Sequence, residues 1–112
     1  KDPGFDTTAV MREMAAEYSP FQFVEGTTMQ ASFGHLMGYD AGYYGYQWAL
    51  SIAMDLLTRF HAEGLMNRKT ATEYRERILA QGATREESKM VEAFLGRPSN
   101  EQAYLKFLGV EV

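Results

Sequence analysis

Several residue types that would define a function are missing or scarce in this sequence. Its 112 residues include no cysteine, which excludes a disulfide framework and a zinc site built on thiolates. The two histidines, His35 and His61, lie far apart, and no His-Glu-x-x-His motif is present, so the spacing predicts no zinc site. A chain without disulfides fits a reducing compartment, and we expect a cytoplasmic location.

Positive charge and long apolar runs are also scarce. The net charge of −4 at neutral pH argues against a surface that holds nucleic acid through its phosphates. The most apolar stretch, residues 41–57, is too short for a bilayer and is interrupted by polar or small residues, namely Gly45, Gln47, Ser51 and Asp55. We therefore expect no nucleic-acid partner and no membrane insertion.

The length and the apolar content predict one small helical unit. Hydrophobic residues make up 46% of the chain, enough to fold but with a limited core. The pattern indicates an all-α fold in which one long buried helix is accompanied by several short amphipathic helices. The chain starts at Lys1 rather than at a methionine, so we expect it to be a piece of a longer protein.

Capping residues and breakers predict the first half of the fold. Asp6 is expected to cap a helix that runs to about Tyr18 and is stopped by Ser19-Pro20. Residues 21–24 could form a short strand. Residues 26–40 are predicted to be a glycine-rich loop with a helical turn near Met29.

A long helix over residues 41–63 is predicted next, capped by Asp40 and ended by Gly64. Its apolar side chains go most of the way round the axis, which is typical of a helix inside a larger core. A chain of this size cannot cover all of them. We therefore expect an exposed apolar patch, or self-association, on this helix or on residues 21–33.

The second half reads as three short amphipathic helices. Asn67 opens the first, which runs to about Gln81, and capping boxes at residues 84–87 and 99–102 open the others. Arg97 is expected to pair with a carboxylate or a helix end. The residues predicted to face inward are Ala71, Tyr74, Ile78, Met90, Val91, Phe94, Ala103, Tyr104 and Phe107.

The most informative stretch is Phe33-Gly-His-Leu-Met-Gly-Tyr-Asp-Ala-Gly-Tyr-Tyr-Gly-Tyr46, with one histidine, four tyrosines and four glycines. Glycine allows a close approach of backbone and ligand, and tyrosine offers a phenolic donor. The spacing of Tyr39, Tyr43 and Tyr46 predicts one helical face together with its N-terminal approach. That face could line a cleft or form a buried aromatic ridge, and the glycines favour the cleft.

Residues 33–48 resemble the C-terminal part of the thimet oligopeptidase family of zinc metallopeptidases, which includes neurolysin, bacterial oligopeptidase A and the bacterial dipeptidyl carboxypeptidases. Further similar motifs follow in order, namely Met54-Asp-Leu-Leu, Tyr74-Arg-Glu-Arg-Ile-Leu-Ala-Gln-Gly82, Phe94-Leu-Gly-Arg97 and Ala103-Tyr-Leu-Lys-Phe-Leu-Gly109. The resemblance covers about residues 31–112. Many members have a Gly-Gly pair before the loop tyrosine, whereas here only Gly38 precedes Tyr39.

The resemblance implies that residues 1–112 are the C-terminal helical fragment of a larger zincin-type catalytic domain. The whole enzyme would hydrolyse short peptides with zinc-activated water, as an endopeptidase or a peptidyl-dipeptidase. The zinc ligands, a His-Glu-x-x-His helix and a downstream glutamate, would lie in the missing upstream part. We therefore expect no zinc on this chain and no activity from it alone.

The resemblance also implies roles for individual residues. Tyr46 would donate to the oxyanion of the tetrahedral intermediate, with His35 as its partner near the scissile carbonyl. Tyr39, Tyr43 and Gly38 would contact the peptide substrate. The alternative is a stand-alone helical interaction module that binds a protein through its tyrosine-rich face.

Overall fold

The computed structural model describes residues 4–110, and every regular element in that range is helical, as the all-α prediction requires. The ends of the predicted fragment, residues 1–3 and 111–112, lie outside the described residues. The α-helices are α1 Thr7–Tyr18, α2 Met29–Ser32, α3 Gly45–Glu63, α4 Arg68–Tyr74, α5 Glu87–Leu95 and α6 Gln102–Phe107. In the described part of the chain, no helix has the length and apolar character needed to cross a bilayer.

Two shorter helical segments complete the chain. A 3-10 helix, Gly34–Met37, follows α2, and a π-helical segment, Arg75–Leu79, continues α4. The chain divides into two compact units, Lys1–Tyr43 and Tyr44–Val112. Each unit is described by itself below.

The first unit is organised by polar contacts around α1. The Asp6 carboxylate accepts from the backbone N–H groups of Thr8 at 2.9 Å and Ala9 at 3.1 Å, which confirms the predicted cap. Arg12 donates two hydrogen bonds to the carboxylate of Glu25, at 2.9 and 2.7 Å. No residue of α1 is fully buried. Helix α1 is therefore stabilised by capping and by its ion pair with Glu25 rather than by a buried apolar core.

Residues 21–24 do not form the predicted strand, and no residue between positions 4 and 110 is in a strand. A strand needs a partner for its backbone hydrogen bonds, and the rest of the unit is helical or turn. The predicted helical turn near Met29 is confirmed as α2. Gln30 on α2 donates to the hydroxyl groups of Thr7 and Thr8, which joins α2 to α1.

The long helix α3 begins later than predicted. Asp40 does not cap it, because residues 40–44 form turns and the N-cap position is Tyr44, which makes no side-chain capping bond. Gly42 lies in these turns, and glycine disfavours helix, which fits the later start. The end of α3 is as predicted, with Gly64 at a φ of 105° directly after Glu63.

Burial along α3 is confined to its middle. Asp55 and Leu56 are its only fully buried residues. Nearer the start of the helix, the side chains of Tyr46 and Trp48 are 52% and 67% exposed. Phe21 and Met29 of the other segment named in the prediction are exposed as well. The expected exposed apolar surface is therefore present on both segments.

The core of the second unit is a small aromatic group made of Phe60, Tyr74 and Phe94. The three ring centroids lie 5.6 to 5.9 Å apart, and Phe94 is 1% exposed. The predicted inward positions Met90 and Phe94 of α5 are confirmed as buried. Phe107 was predicted to face inward and is 61% exposed, so that prediction is wrong.

Local caps were predicted correctly in one case out of three in this unit. Asn67 caps α4 by accepting from the N–H groups of Lys69 and Thr70. The box at residues 84–87 does not form, because the Thr84 hydroxyl donates to the carbonyl oxygen of Gln81 at 2.8 Å. The Thr84 hydroxyl is therefore bound within the turn at residues 81–84 and does not cap α5.

The second capping box, at residues 99–102, does not form because the hydroxyl of its serine is bound elsewhere. The hydroxyl of Ser99 donates to the Asp55 carboxylate at 2.9 Å, and α6 starts at Gln102. The side-chain oxygen of Asn100 instead accepts from the backbone N–H of Gln102 at 3.1 Å.

The fully buried carboxylate of Asp55 collects four hydrogen bonds from one short segment. Arg97 donates from both terminal nitrogens, one of them at 3.1 Å, which confirms that Arg97 pairs with a carboxylate. Ser99 and the backbone N–H of Asn100 each donate at 2.9 Å. Burial raises the pKa of Asp55, but these hydrogen bonds outweigh it and hold the pKa below its ordinary value.

A second charged group lies beside the aromatic core. Arg59 donates to Glu63, to Glu73 and to the backbone carbonyl of Phe94, at 2.8, 2.8 and 2.6 Å. Its guanidinium carbon lies 4.7 Å from the centroid of the Phe94 ring. Arg59 therefore ties α3 to α4 and α5 by both charge and stacking.

We expect Asp55→Asn to destabilise the chain by about 1 to 3 kcal/mol, because an amide leaves Arg97 without its counter-charge and turns an N–H group toward the donors of Ser99 and Asn100. Urea unfolding followed by far-UV circular dichroism measures the change. Asp6→Asn is the matched control, since asparagine caps a helix as well as aspartate does. An equal loss in both variants would contradict the assigned role.

The lowered pKa of Asp55 predicts a pH dependence. A carboxylate with a depressed pKa stabilises the fold fully above its unfolded pKa of about 3.9, and the contribution is lost as the pH falls through the folded value. We expect the free energy of unfolding to fall below pH 4 and to fall less steeply in Asp55→Asn. Parallel slopes in the two proteins between pH 4 and acid unfolding would contradict this assignment.

Candidate functional site

The predicted site stretch lies at the end of the first unit and at the start of α3. His35 lies in the 3-10 helix Gly34–Met37, and its backbone carbonyl accepts from the N–H of Tyr39 at 2.8 Å. The carbonyl of Tyr39 in turn accepts from the N–H of Gly42 at 3.2 Å. These two successive turns bring the side chains of the stretch back toward one another.

Four rings of the first unit form a contiguous group, which we call the aromatic cluster: Phe33, His35, Tyr39 and Tyr43. The His35 ring lies 5.5 Å from Phe33, 5.7 Å from Tyr39 and 5.5 Å from Tyr43, centroid to centroid. Phe33 and Tyr43 meet edge to face at 5.6 Å. Tyr39 and Tyr43 are 41% and 46% exposed, so the cluster presents an apolar surface that carries phenolic donors.

Gly42 lies against the Tyr39 ring. A side-chain carbon at position 42 would lie 3.1 Å from Cε2 of Tyr39 and 3.4 Å from its Cδ2. Carbon atoms in comfortable contact are about 3.5 to 4.0 Å apart, so the ring occupies the space that a side chain would need. The other loop glycines differ, since a carbon added at Gly34 or Gly38 would meet nothing within 4 Å.

The structure therefore brings together three of the five predicted site residues, His35, Tyr39 and Tyr43. Gly38 connects them in the chain, directly after the 3-10 helix. Tyr46 lies in the first turn of α3, which belongs to the second unit, and its side chain is 52% exposed.

The predicted helical row of tyrosines is not formed as such. Tyr39 and Tyr43 lie in turns before α3, and only Tyr46 is in the helix. Phe33 was not singled out from the sequence, although it contacts both His35 and Tyr43. Its position directly before Gly34 and His35 is the sequence feature that could have indicated a place in the site.

A groove in the second unit lies elsewhere. It has a volume of about 650 Å³ and lies between the first half of α3 and the segment that leads into α6. Trp48, Ile52 and Leu105 are among its apolar lining residues, and Tyr104 donates to Gln47 across its wall at 2.9 Å. None of the predicted site residues lines this groove.

The described residues do not provide a zinc site. A protein zinc site takes at least three ligands from histidine, cysteine, aspartate or glutamate. Between residues 4 and 110, no three such side chains come together in a way that could hold a metal ion. The donor set therefore does not fit the zinc that the resemblance implies for the whole enzyme.

Comparison with known proteins assigns the family. The model of Peptidase family M3 matches residues 1–110, nearly the whole chain. The chain belongs to this family, and the resemblance noted in its sequence is confirmed.

Similar proteins of known name agree with this family assignment. A thimet-like oligopeptidase from Dictyostelium discoideum is 38% identical over 87 residues, which are 77% of this chain and 13% of that protein. Saccharolysin from Saccharomyces cerevisiae is 40% identical over 82 residues, 71% of this chain and 12% of its own length. Oligopeptidase A from Escherichia coli is 37% identical over 82 residues, again 71% of this chain and 12% of that protein. The chain thus spans about an eighth of the length of the relatives it matches.

The missing donor set predicts that the chain's stability does not depend on zinc. We expect a chelator such as EDTA to leave the melting temperature unchanged, and elemental analysis of the purified chain to find far less than one zinc per molecule. A metal that binds the folded state raises the melting temperature. Saturable binding of one zinc with a rise in melting temperature would contradict this.

Proposed function

We propose that this chain is part of a zinc metallo-oligopeptidase, to which it contributes contacts to the peptide and to the oxyanion. The observation that carries the proposal is the aromatic cluster. In a chain of Peptidase family M3, three of the five predicted site residues, His35, Tyr39 and Tyr43, lie side by side in a glycine-rich stretch. Family membership favours this function over a stand-alone interaction module.

The exposed rings suit a peptide ligand. Tyr39 and Tyr43 offer flat apolar faces to substrate side chains and hydroxyl groups to backbone carbonyls. Gly38 has no side chain, so a peptide backbone can approach the loop closely there. These three residues would therefore set the binding of the peptide rather than the rate of its cleavage.

Tyr46 and His35 would act on the transition state. When water adds to a peptide carbonyl, negative charge develops on the oxygen, and a phenol held at that position stabilises it. We assign this donor role to Tyr46 and a supporting position near the scissile carbonyl to His35. Hydrogen-bond donors of this kind act most strongly on kcat, because the charge is absent in the bound substrate.

The metal chemistry belongs outside this chain in our proposal. The described residues provide no set of metal ligands, so zinc would be held by the rest of the enzyme. For the same reason we propose that this chain has no catalytic activity by itself. We also propose a cytoplasmic location. Both endopeptidase and peptidyl-dipeptidase action are compatible with these contacts.

Tyr46→Phe in the intact enzyme removes one hydroxyl and almost no volume. We expect kcat to fall by roughly a hundredfold or more while KM changes little, the effect of removing one oxyanion donor. Steady-state kinetics on a short fluorogenic peptide measures both constants. Tyr18→Phe, at the exposed end of α1, is the matched control and should behave as wild type. Wild-type kcat in folded, zinc-loaded Tyr46→Phe would remove Tyr46 from the mechanism.

Two further variants separate transition-state contacts from peptide contacts. His35→Ala should lower kcat, and its combination with Tyr46→Phe should fall short of additivity if both residues serve one oxyanion. Tyr39→Phe should act mainly on KM. Additive losses in the double variant would show that His35 and Tyr46 act independently.

A further inference from the structure

The position of the Tyr39 ring is set by a residue to which neither the family resemblance nor the relatives assign a role. The N–H of Gly42 donates to the carbonyl of Tyr39, and this turn brings Gly42 close to one edge of the ring of the same tyrosine. Three ring atoms of Tyr39, Cε2, Cδ2 and Cζ, lie 3.1, 3.4 and 3.5 Å from where a side chain at position 42 would begin.

Backbone conformation does not explain a glycine at this position. The positive-φ glycines in the described range are Gly26, Gly64, Gly82, Gly96 and Gly109, and Gly42 is not among them. An alanine could adopt its backbone angles. An alanine methyl group would instead lie 3.1 Å from Cε2 of Tyr39, so the ring edge would have to move away by a few tenths of an ångström.

We propose that Gly42 is a positioning residue for Tyr39: the missing side chain lets one edge of the ring lie close to the turn, and this places the ring in the aromatic cluster beside His35 and Tyr43. The inference rests on the proposed role of Tyr39 as a peptide contact. Tyr39 is 41% exposed, so the ring has room to shift toward solvent. The consequence is therefore a change in peptide binding rather than loss of the fold.

Gly42→Ala in the intact enzyme should raise KM for a short peptide by about three- to tenfold, the range of one aromatic contact, with kcat within about twofold of wild type. Gly34→Ala is the matched control, because position 34 is in the same loop and an added carbon meets nothing within 4 Å. It should leave both constants unchanged. An equal rise in KM in both variants would overturn the proposal.

A double-mutant cycle separates ring placement from loop stiffness. If Gly42 acts through the ring, Gly42→Ala should have no further effect on KM in a Tyr39→Ala background. If an alanine merely stiffens the loop, the rise in KM should persist when the ring is gone, and the proposal fails. The melting temperatures of Gly42→Ala and Gly34→Ala should agree with that of the wild type.

A spectroscopic measurement on the 112-residue chain distinguishes failure of this inference from failure of the proposed function. Gly42→Ala should shift the ring proton resonances of Tyr39 and His35, whose centroids are 5.7 Å apart, and Gly34→Ala should not. Unshifted resonances in Gly42→Ala overturn the placement of the ring. A wild-type KM in Tyr39→Ala would overturn the proposed peptide contact of Tyr39. The ring proton resonances would still show, independently, whether Gly42 positions the Tyr39 ring.

Discussion

The arrangement of the second unit depends on the buried carboxylate of Asp55. Its two oxygens accept four hydrogen bonds from Arg97, Ser99 and the backbone of Asn100, across more than forty positions of sequence. The apolar core beside it is small, since Leu56, Met90 and Phe94 are the buried hydrophobic residues of the described chain. Asp55 is buried although Arg97 is 40% exposed, and a buried carboxylate that loses its partners is costly, so the contact specifies one arrangement over others. Here it fixes where the chain turns into α6 relative to the middle of α3.

Features governed by nearest neighbours were predictable from the sequence. The caps at Asp6 and Asn67 follow from side chains that accept from backbone N–H groups two or three residues away. The stop at Gly64 follows from a positive φ that glycine adopts easily. The cap expected from Ser99 failed for the opposite reason, because its hydroxyl is bound to Asp55 in another helix. A partner so distant in sequence leaves no local pattern from which it could be inferred.

In the candidate site, too, local features could be predicted from the sequence and distant contacts could not. The number of glycines and tyrosines between residues 33 and 46 indicated a ligand-binding loop, and family membership supports a peptidase origin. The helical row of tyrosines did not form, because residues 40–44 form turns and α3 begins only at Gly45. These turns bring an edge of the Tyr39 ring close to Gly42, and the rings of the cluster lie around His35. Such packing depends on backbone turns that a residue count cannot specify.

The absence of any fully buried residue between positions 4 and 43 has a consequence for the motions of the chain. Segments with few buried contacts open locally at low free-energy cost, whereas segments tied into a core open only with global unfolding. Backbone amides of the aromatic cluster should therefore exchange their hydrogens with solvent much faster than those in the middle of α3 and in α5. A surface that opens readily can change its shape, while the Asp55-centred unit that follows it in the chain keeps its fold.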